Sequence, residues 1–357
     1  MMIPVTYAAT LLLAIVSMVC WGSWANTMKS AGKWRFELYY FDYSLGVLLC
    51  ATVAAFTFGS IEGAPVDAAT PAFAFLDNLS VASKLQMAYA VAAGIIFNLA
   101  NLLLVAAISV AGMAVAFPVG IGLALIEGVV LSYVVKPAGN PALLFGGVGV
   151  IFLAIVATAL AYTAHASAPQ AELPAEPAEP GRRPARHKSP VLKGVLLSLA
   201  AGLLMGLFYP LIELAKQGEV GVGPYAAAFL FAVGVVLSTP VFNLFFMNLP
   251  VQGEPVKFSE YFGGTARQHL LGLAGGAIWA TGTIANFVAS SAPKSAGLGP
   301  AVSYALGQGA TLISTLWGLL VWKEFAGASP AVRLRVAIML VLYVIGLAML
   351  SLAPLYA

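Results

Sequence analysis

Ten long apolar runs punctuate this chain, at about 8–28, 41–60, 86–108, 113–135, 143–163, 191–214, 225–247, 268–290, 299–322 and 332–353. Each is near the ~20 residues that a helix needs to cross the hydrocarbon core of a bilayer. Backbone polar groups in lipid must be satisfied within the segment, so the choice is between helices and a closed barrel. The runs are continuous and show no two-residue alternation, which excludes the barrel. Composition agrees: 61% of the 357 residues are hydrophobic and 9% are charged, where a soluble domain carries about 25% charged residues. Disorder requires the opposite balance. The expected fold is an all-α membrane protein with ten transmembrane helices. The first run has no basic n-region and no clear cleavage site, so it reads as a mature helix rather than a signal peptide. A net charge of +3 is too small to point to nucleic acid. Cys20 and Cys50 lie in apolar runs and read as small buried hydrophobes.

The sharpest composition break is 164–190, rich in Ala, Pro and Glu and then basic, with Arg182, Arg183, Arg186 and Lys188. Such a segment reads as an extended linker. It separates a first five-helix half, 1–163, from a second, 191–357. Lys and Arg counted loop by loop total 13 on the linker side and 4 on the other. The positive-inside rule then predicts a multi-pass plasma (inner) membrane protein, with both termini outside and the linker in the cytoplasm.

The halves resemble each other weakly. Placing Lys136 on Lys323 puts Gly120 and Gly122 on Gly307 and Gly309, and Phe117 on Tyr304. Placing AGIIFNLAN on GGAIWATGT puts Phe97 on Trp279 and Asn101 on Thr283. CWGSW over MGLFY puts Gly22 on Gly206 and Trp24 on Phe208. Three matches in one order at nearly constant offset point to an internal repeat. Five helices is an odd number, so the second repeat is inverted. Inverted repeats provide two near-equivalent packings, and rocking between them gives alternating access to a midplane site.

Glu127 lies near the centre of its run, where a charged carboxylate is expensive and hence a functional-site candidate. It reads either as a proton-coupling group facing a cavity or as a permanently protonated acid bonded to a neighbouring helix. The amides of Asn98, Asn101, Asn286 and Gln308 offer both donor and acceptor to a polar solute, or serve as interhelical glue. Trp24, Phe97, Trp279 and Tyr304 could stack a flat solute, or pack helices. Trp21, Trp317 and Trp322 read as packing or belt residues. Pro118, Gly120 and Gly122 should break the fourth run, and Pro300 should open the ninth. Gly202/Gly206 and Gly272/Gly276 have the spacing of close helix contacts. Glu213 and Lys216 should pair, and Asp42 reads as a helix cap or gate. The histidines sit at helix ends or in loops, so no relay is expected. Nucleotide-binding, metalloprotease, hydrolase and Cys/His metal motifs are all missing from the sequence. The expectation is no enzyme and no cofactor, with a small-molecule solute, protons and lipid as partners.

The ten-run layout, the five-plus-five repeat and the GxG-bearing fourth and ninth runs resemble the drug/metabolite transporter superfamily. Within it, KWRFELYYFDYSLGVLLCATVAAFTFGS (33–60) and STLWGLLVWKEF (314–325) resemble the ureide permeases. The resemblance implies a secondary transporter importing allantoin, uracil and related nitrogen-rich heterocycles, usually with protons. GMAVAFPVGIG (112–122) is also similar to the glucose/ribose and rhamnose porters, which implies a sugar–proton symporter as the alternative. Export of a drug or lipophilic metabolite is a third reading.

Overall fold

The computed structural model describes residues 1–61, 73–111, 116–166, 191–218, 221–250 and 254–356. The expected linker lies outside them from residue 167 onward, with its arginines. Among the described residues the secondary structure is helical. The helices are α1 (Tyr7–Ser23), α2 (Ala25–Ser30), α3 (Phe36–Phe56), α4 (Phe75–Val81), α5 (Lys84–Ala111), α6 (Gly122–Val135) and α7 (Pro141–Ala166) in the first half. The second half contains α8 (Val191–Ala215), α9 (Pro224–Asn248), α10 (Ala266–Ser290), α11 (Pro300–Gln308), α12 (Ala310–Leu320) and α13 (Pro330–Leu352).

Among the described residues, eight segments are long and apolar enough to cross a membrane: α1 with α2, α3, α5, α7, α8, α9, α10 and α13. The fourth and ninth expected spans are the two broken ones. The fourth enters through a π-helical turn, Phe117–Ile121, before α6. Proline in that turn cannot donate to the helical ladder, and π-turns absorb such faults. The ninth is split at Gly309 into α11 and α12. The starts of the helices follow local chemistry. Thr6 and Ser329 cap α1 and α13 with side-chain acceptors, and Thr265 with Gln268 forms a capping box on α10. Proline sits in the first turn of α9, α11 and α13, where its missing N–H costs nothing.

The main packing pairs are α5 with α8, α7 with α13, α3 with α10, α5 with α9, α1 with α10, α6 with α8, and α1 with both α11 and α12. Two of these crossings are very close. A Cβ on Gly276 would meet the carbonyl oxygen of Tyr43 and the backbone nitrogen of Val47 on α3. A Cβ on Gly94 would meet the corresponding atoms of Phe231 and Val235 on α9. Glycine is required there because backbone faces backbone.

The capping expectation for Asp42 is corrected. Arg35 stands at the N-cap of α3, and Asp42 lies well inside the helix. Its buried carboxylate instead accepts from the Tyr261 hydroxyl at 2.6 Å and pairs with Nδ1 of His269 at 2.8 Å. Burial, and then the bond to Asp42, push the Tyr261 phenol above its ordinary pKa.

Candidate functional site

A cavity of about 170 Å³ lies where α1, α5, α8, α10 and the two broken spans converge. Drug-sized pockets run to roughly 300–1,000 Å³, so this one fits a smaller solute. Trp21, Gly22, Trp24 and Ala25 line it from α1 and α2, and Phe97, Asn101 and Leu104 from α5. Ile121 of the π-turn, Met205 and Phe208 of α8, and Trp279 of α10 complete one part of the wall. Gln308 ends α11 at the cavity, and Ala310, Thr311 and Ser314 of α12 form the rest.

Five expected site residues are thus brought together: Trp24, Phe97, Asn101, Trp279 and Gln308. The side-chain amide of Gln308 makes no hydrogen bond among the described residues, and neither does the indole N–H of Trp24. Both polar ends are therefore free for a solute. Asn101 is anchored through its Nδ2, which donates to the Tyr40 hydroxyl at 3.2 Å. Trp279 stacks on Phe97 with ring centroids 4.4 Å apart and lies nearly parallel to Phe231 and Trp21. Its faces are largely taken, and it is 5% exposed. Trp24 is half-buried and leans on Tyr43 at 5.1 Å, which leaves it the ring best placed to stack a solute.

The other expected residues lie off the cavity wall in this conformation. Asn98 points at α9, with Nδ2 near Ser238 Oγ at 2.8 Å and within reach of Thr239 Oγ1 and the Val235 carbonyl at 3.2 Å. Asn286 ties four helices together. Its Nδ2 donates to Ser17 Oγ at 3.1 Å and to the Ser303 carbonyl at 3.0 Å. Its Oδ1 accepts from the Tyr209 hydroxyl at 2.5 Å. Tyr304 is fully buried, and its hydroxyl donates to the Ala124 carbonyl at 3.2 Å. Its ring lies over the spot where a Cβ on Gly128 would sit. Glu127 packs across α6–α8 against Gly206, with Oε2 buried and unpartnered.

The sequence reading missed Trp21, which is a wall residue and donates its indole N–H to Thr283 Oγ1 at 3.1 Å. It also missed the tyrosines behind the wall. Tyr39, Tyr40 and Tyr43 are fully buried, and the Tyr43 hydroxyl has no protein partner. Trp317 and Trp322 donate to Ser23 Oγ and Asn26 Oδ1 at 2.8 and 2.6 Å, tying α12 and the loop after it to α1 and α2. Glu213 and Lys216 pair at 2.5 Å, and Ser290 joins them. No cluster of three or more His, Cys, Asp or Glu side chains suited to a metal ion occurs among the described residues.

The cavity is asymmetric along the helix axes. At one end α11 packs on α6 through Tyr304. Toward the other end, where α7 finishes and α8 begins, the wall is made by α12, the π-turn and the C-terminal part of α5. A multi-pass helical protein with a small central cavity of aromatic rings and an unpaired amide has the construction of a membrane transporter for a small molecule. The comparisons with known proteins agree. The family model described as Ureide permease matches residues 39–188. Ureide permease 2 of Arabidopsis thaliana is 25% identical, over 96% of this chain and 95% of that protein. Ureide permease 1 of the same plant is 22% identical, with the same coverage. A crystal structure superposes with a TM-score of 0.54 at 18% identity, covering 96% of this chain and 99% of that one, a likeness of fold. These matches relate the chain to the ureide permease family, and make it a transporter and not an enzyme.

Proposed function

We propose that this chain moves a small ureide or nucleobase-type heterocycle across a plasma (inner) membrane by proton-coupled alternating access. The observation that carries this reading is the cavity itself, closed at one end by α11 on α6 and offering the unpaired amide of Gln308 beside Trp24. Gln308 supplies donor and acceptor to the hydrogen-bonding edge of the ring. Trp24 supplies a stacking face, and Asn101 a second amide. Glu127 is the proton-coupling carboxylate. The named relatives are ureide permeases, which favours the heterocycle over the sugar.

Two inverted five-helix repeats, 1–163 and 191–357, carry the motion, joined by a cytoplasmic linker at 164–190. Ten crossings require the two broken spans to traverse the bilayer as α6 with its π-turn and α11 with α12. The packing supports this reading. Exchanging each span for its counterpart in the other half turns α3–α10 into α9–α5, α5–α8 into α10–α1, and α6–α8 into α11/α12–α1. All of these pairs are packed. The glycine crossings keep the sequence register, since Gly94 and Gly276 are aligned residues that face equivalent backbone atoms. Broken helices at a midplane site are the usual device of such transporters.

The test is uptake of labelled allantoin, uracil and a pentose/hexose panel into proteoliposomes, with and without an inward proton gradient. Gradient-stimulated uptake of a heterocycle is expected. Uptake of sugars alone would overturn the substrate class, and uptake without gradient dependence would overturn the coupling.

A further inference from the structure

The cavity wall is partly symmetric under the repeat, and where it is not, it identifies a second set of residues. Four aligned pairs contribute both members to the wall: Trp21 with Met205, Trp24 with Phe208, Phe97 with Trp279, and Ile121 with Gln308. The cavity therefore sits on the relation between the halves. Seven wall residues have no aligned partner in the wall, four of them on α1, α2 and α5 and three on α12. Ala310, Thr311 and Ser314 line the cavity, while their counterparts on α6, Leu123, Ala124 and Glu127, do not.

The reason is visible in the packing. The second half of the fourth span, α6, is held against the first half of the ninth, α11. Tyr304 donates to the Ala124 carbonyl and covers Gly128. The exchanged contact would join α12 to the π-turn Phe117–Ile121. Instead the cavity lies between those two elements. One sequence relation thus carries two different packings, as expected of a bistable pair of repeats.

We infer that in the conformation open to the opposite side α6 parts from α11, and that Leu123, Ala124 and Glu127 then line the solute path as Ala310, Thr311 and Ser314 do here. Ser314 and Glu127 take turns at the same station in the transport cycle. The substitution of a carboxylate for a hydroxyl makes the two faces of the cycle chemically unlike. In that conformation Glu127 meets water from the side away from the linker, whereas here the residue is half-buried with its Oε2 held against α8 without a partner. The proton is loaded from that side. This rests on the alternating-access reading above and specifies which residues alternate.

Thiol accessibility tests it, in a Cys20→Ala/Cys50→Ala background carrying Ser314→Cys, Ala124→Cys or Leu123→Cys singly. A membrane-impermeant thiol reagent is applied to each face of sealed vesicles, and uptake of labelled allantoin and uracil is measured in the same preparations. Ser314→Cys should be labelled from the linker face only, and Ala124→Cys and Leu123→Cys from the opposite face only. Saturating solute on one face should change the two labelling rates in opposite directions, by about threefold, the equivalent of about 0.65 kcal/mol. If both α6 positions stay unlabelled from either face in vesicles that transport, or label from the linker face, the inference is overturned. If labelling alternates as expected but no heterocycle is taken up, the inference stands and the substrate reading fails.

Discussion

The ammonium of Lys29 lies 2.7 Å from a carboxylate oxygen of Glu324, joining the end of α2 to the loop that follows α12. Tyr162 at the end of α7 donates to the other oxygen at 2.7 Å, and Lys29 also sits 4.3 Å above the ring of Trp322. This latch stands beyond the cavity, on the elements that carry Trp24 and Ser314.

Burial raises the Glu324 pKa, but the bonds from Lys29 and Tyr162 outweigh it and hold the carboxyl below its ordinary value. A group depressed in the folded state contributes stability above its unfolded pKa and loses it as pH falls through the folded one. The latch therefore stays charged across neutral and mildly acid pH and is not the proton switch. Glu324→Gln should leave the pH profile of uptake unchanged between about pH 5.5 and 7.5. It should lower stability by no more than about 1 kcal/mol, since the pair is partly exposed. An altered pH profile would move coupling to this latch.

Glu127→Gln keeps the shape of the side chain against Gly206 and removes its proton chemistry. Stimulation of uptake by an inward proton gradient should be lost, while solute exchange at equal pH continues. Unchanged stimulation in the variant would remove Glu127 from the coupling step.

Asn286→Ala should be costly for the fold rather than for solute contact in this conformation. It strands Tyr209, Ser17 and Ser303 in a buried site. The expected loss is about 1–3 kcal/mol, readable as a lower melting temperature of purified protein. A melting temperature equal to wild type would mean that the network contributes nothing.

Gly94→Ala and Gly276→Ala should destabilise alike, by about 1–3 kcal/mol each, because both place a methyl group against backbone at aligned crossings. The same melting experiment checks this. A large effect at one position and none at the other would argue against equivalent packing of the halves.

The helical architecture was legible because apolar length is a strong signal in a chain with so few charges. The break of the fourth span was legible in Pro118, Gly120 and Gly122, where the π-turn lies. The break of the ninth at Gly309 was not, because hydropathy does not register it. Phe97 and Trp279, both singled out as aromatic candidates, stack on each other at the cavity wall. The polar residues were harder. An amide in an apolar run signals a buried partner but not which one, so Asn98, bonded to α9, and Gln308, bonded to nothing, look alike in sequence. Asp42 and His269 lie far apart in the chain, and only the close α3–α10 packing brings them together.

The central claim is that the small cavity beside Trp24 holds the solute through Gln308. It is tested most directly by equilibrium binding of labelled allantoin and uracil to purified protein carrying Gln308→Ala or Asn98→Ala. Gln308→Ala should weaken binding by about tenfold, the equivalent of one hydrogen bond to the solute, and Asn98→Ala should leave affinity near that of wild type. Undiminished binding by Gln308→Ala, or an equal loss in both variants, would contradict the account.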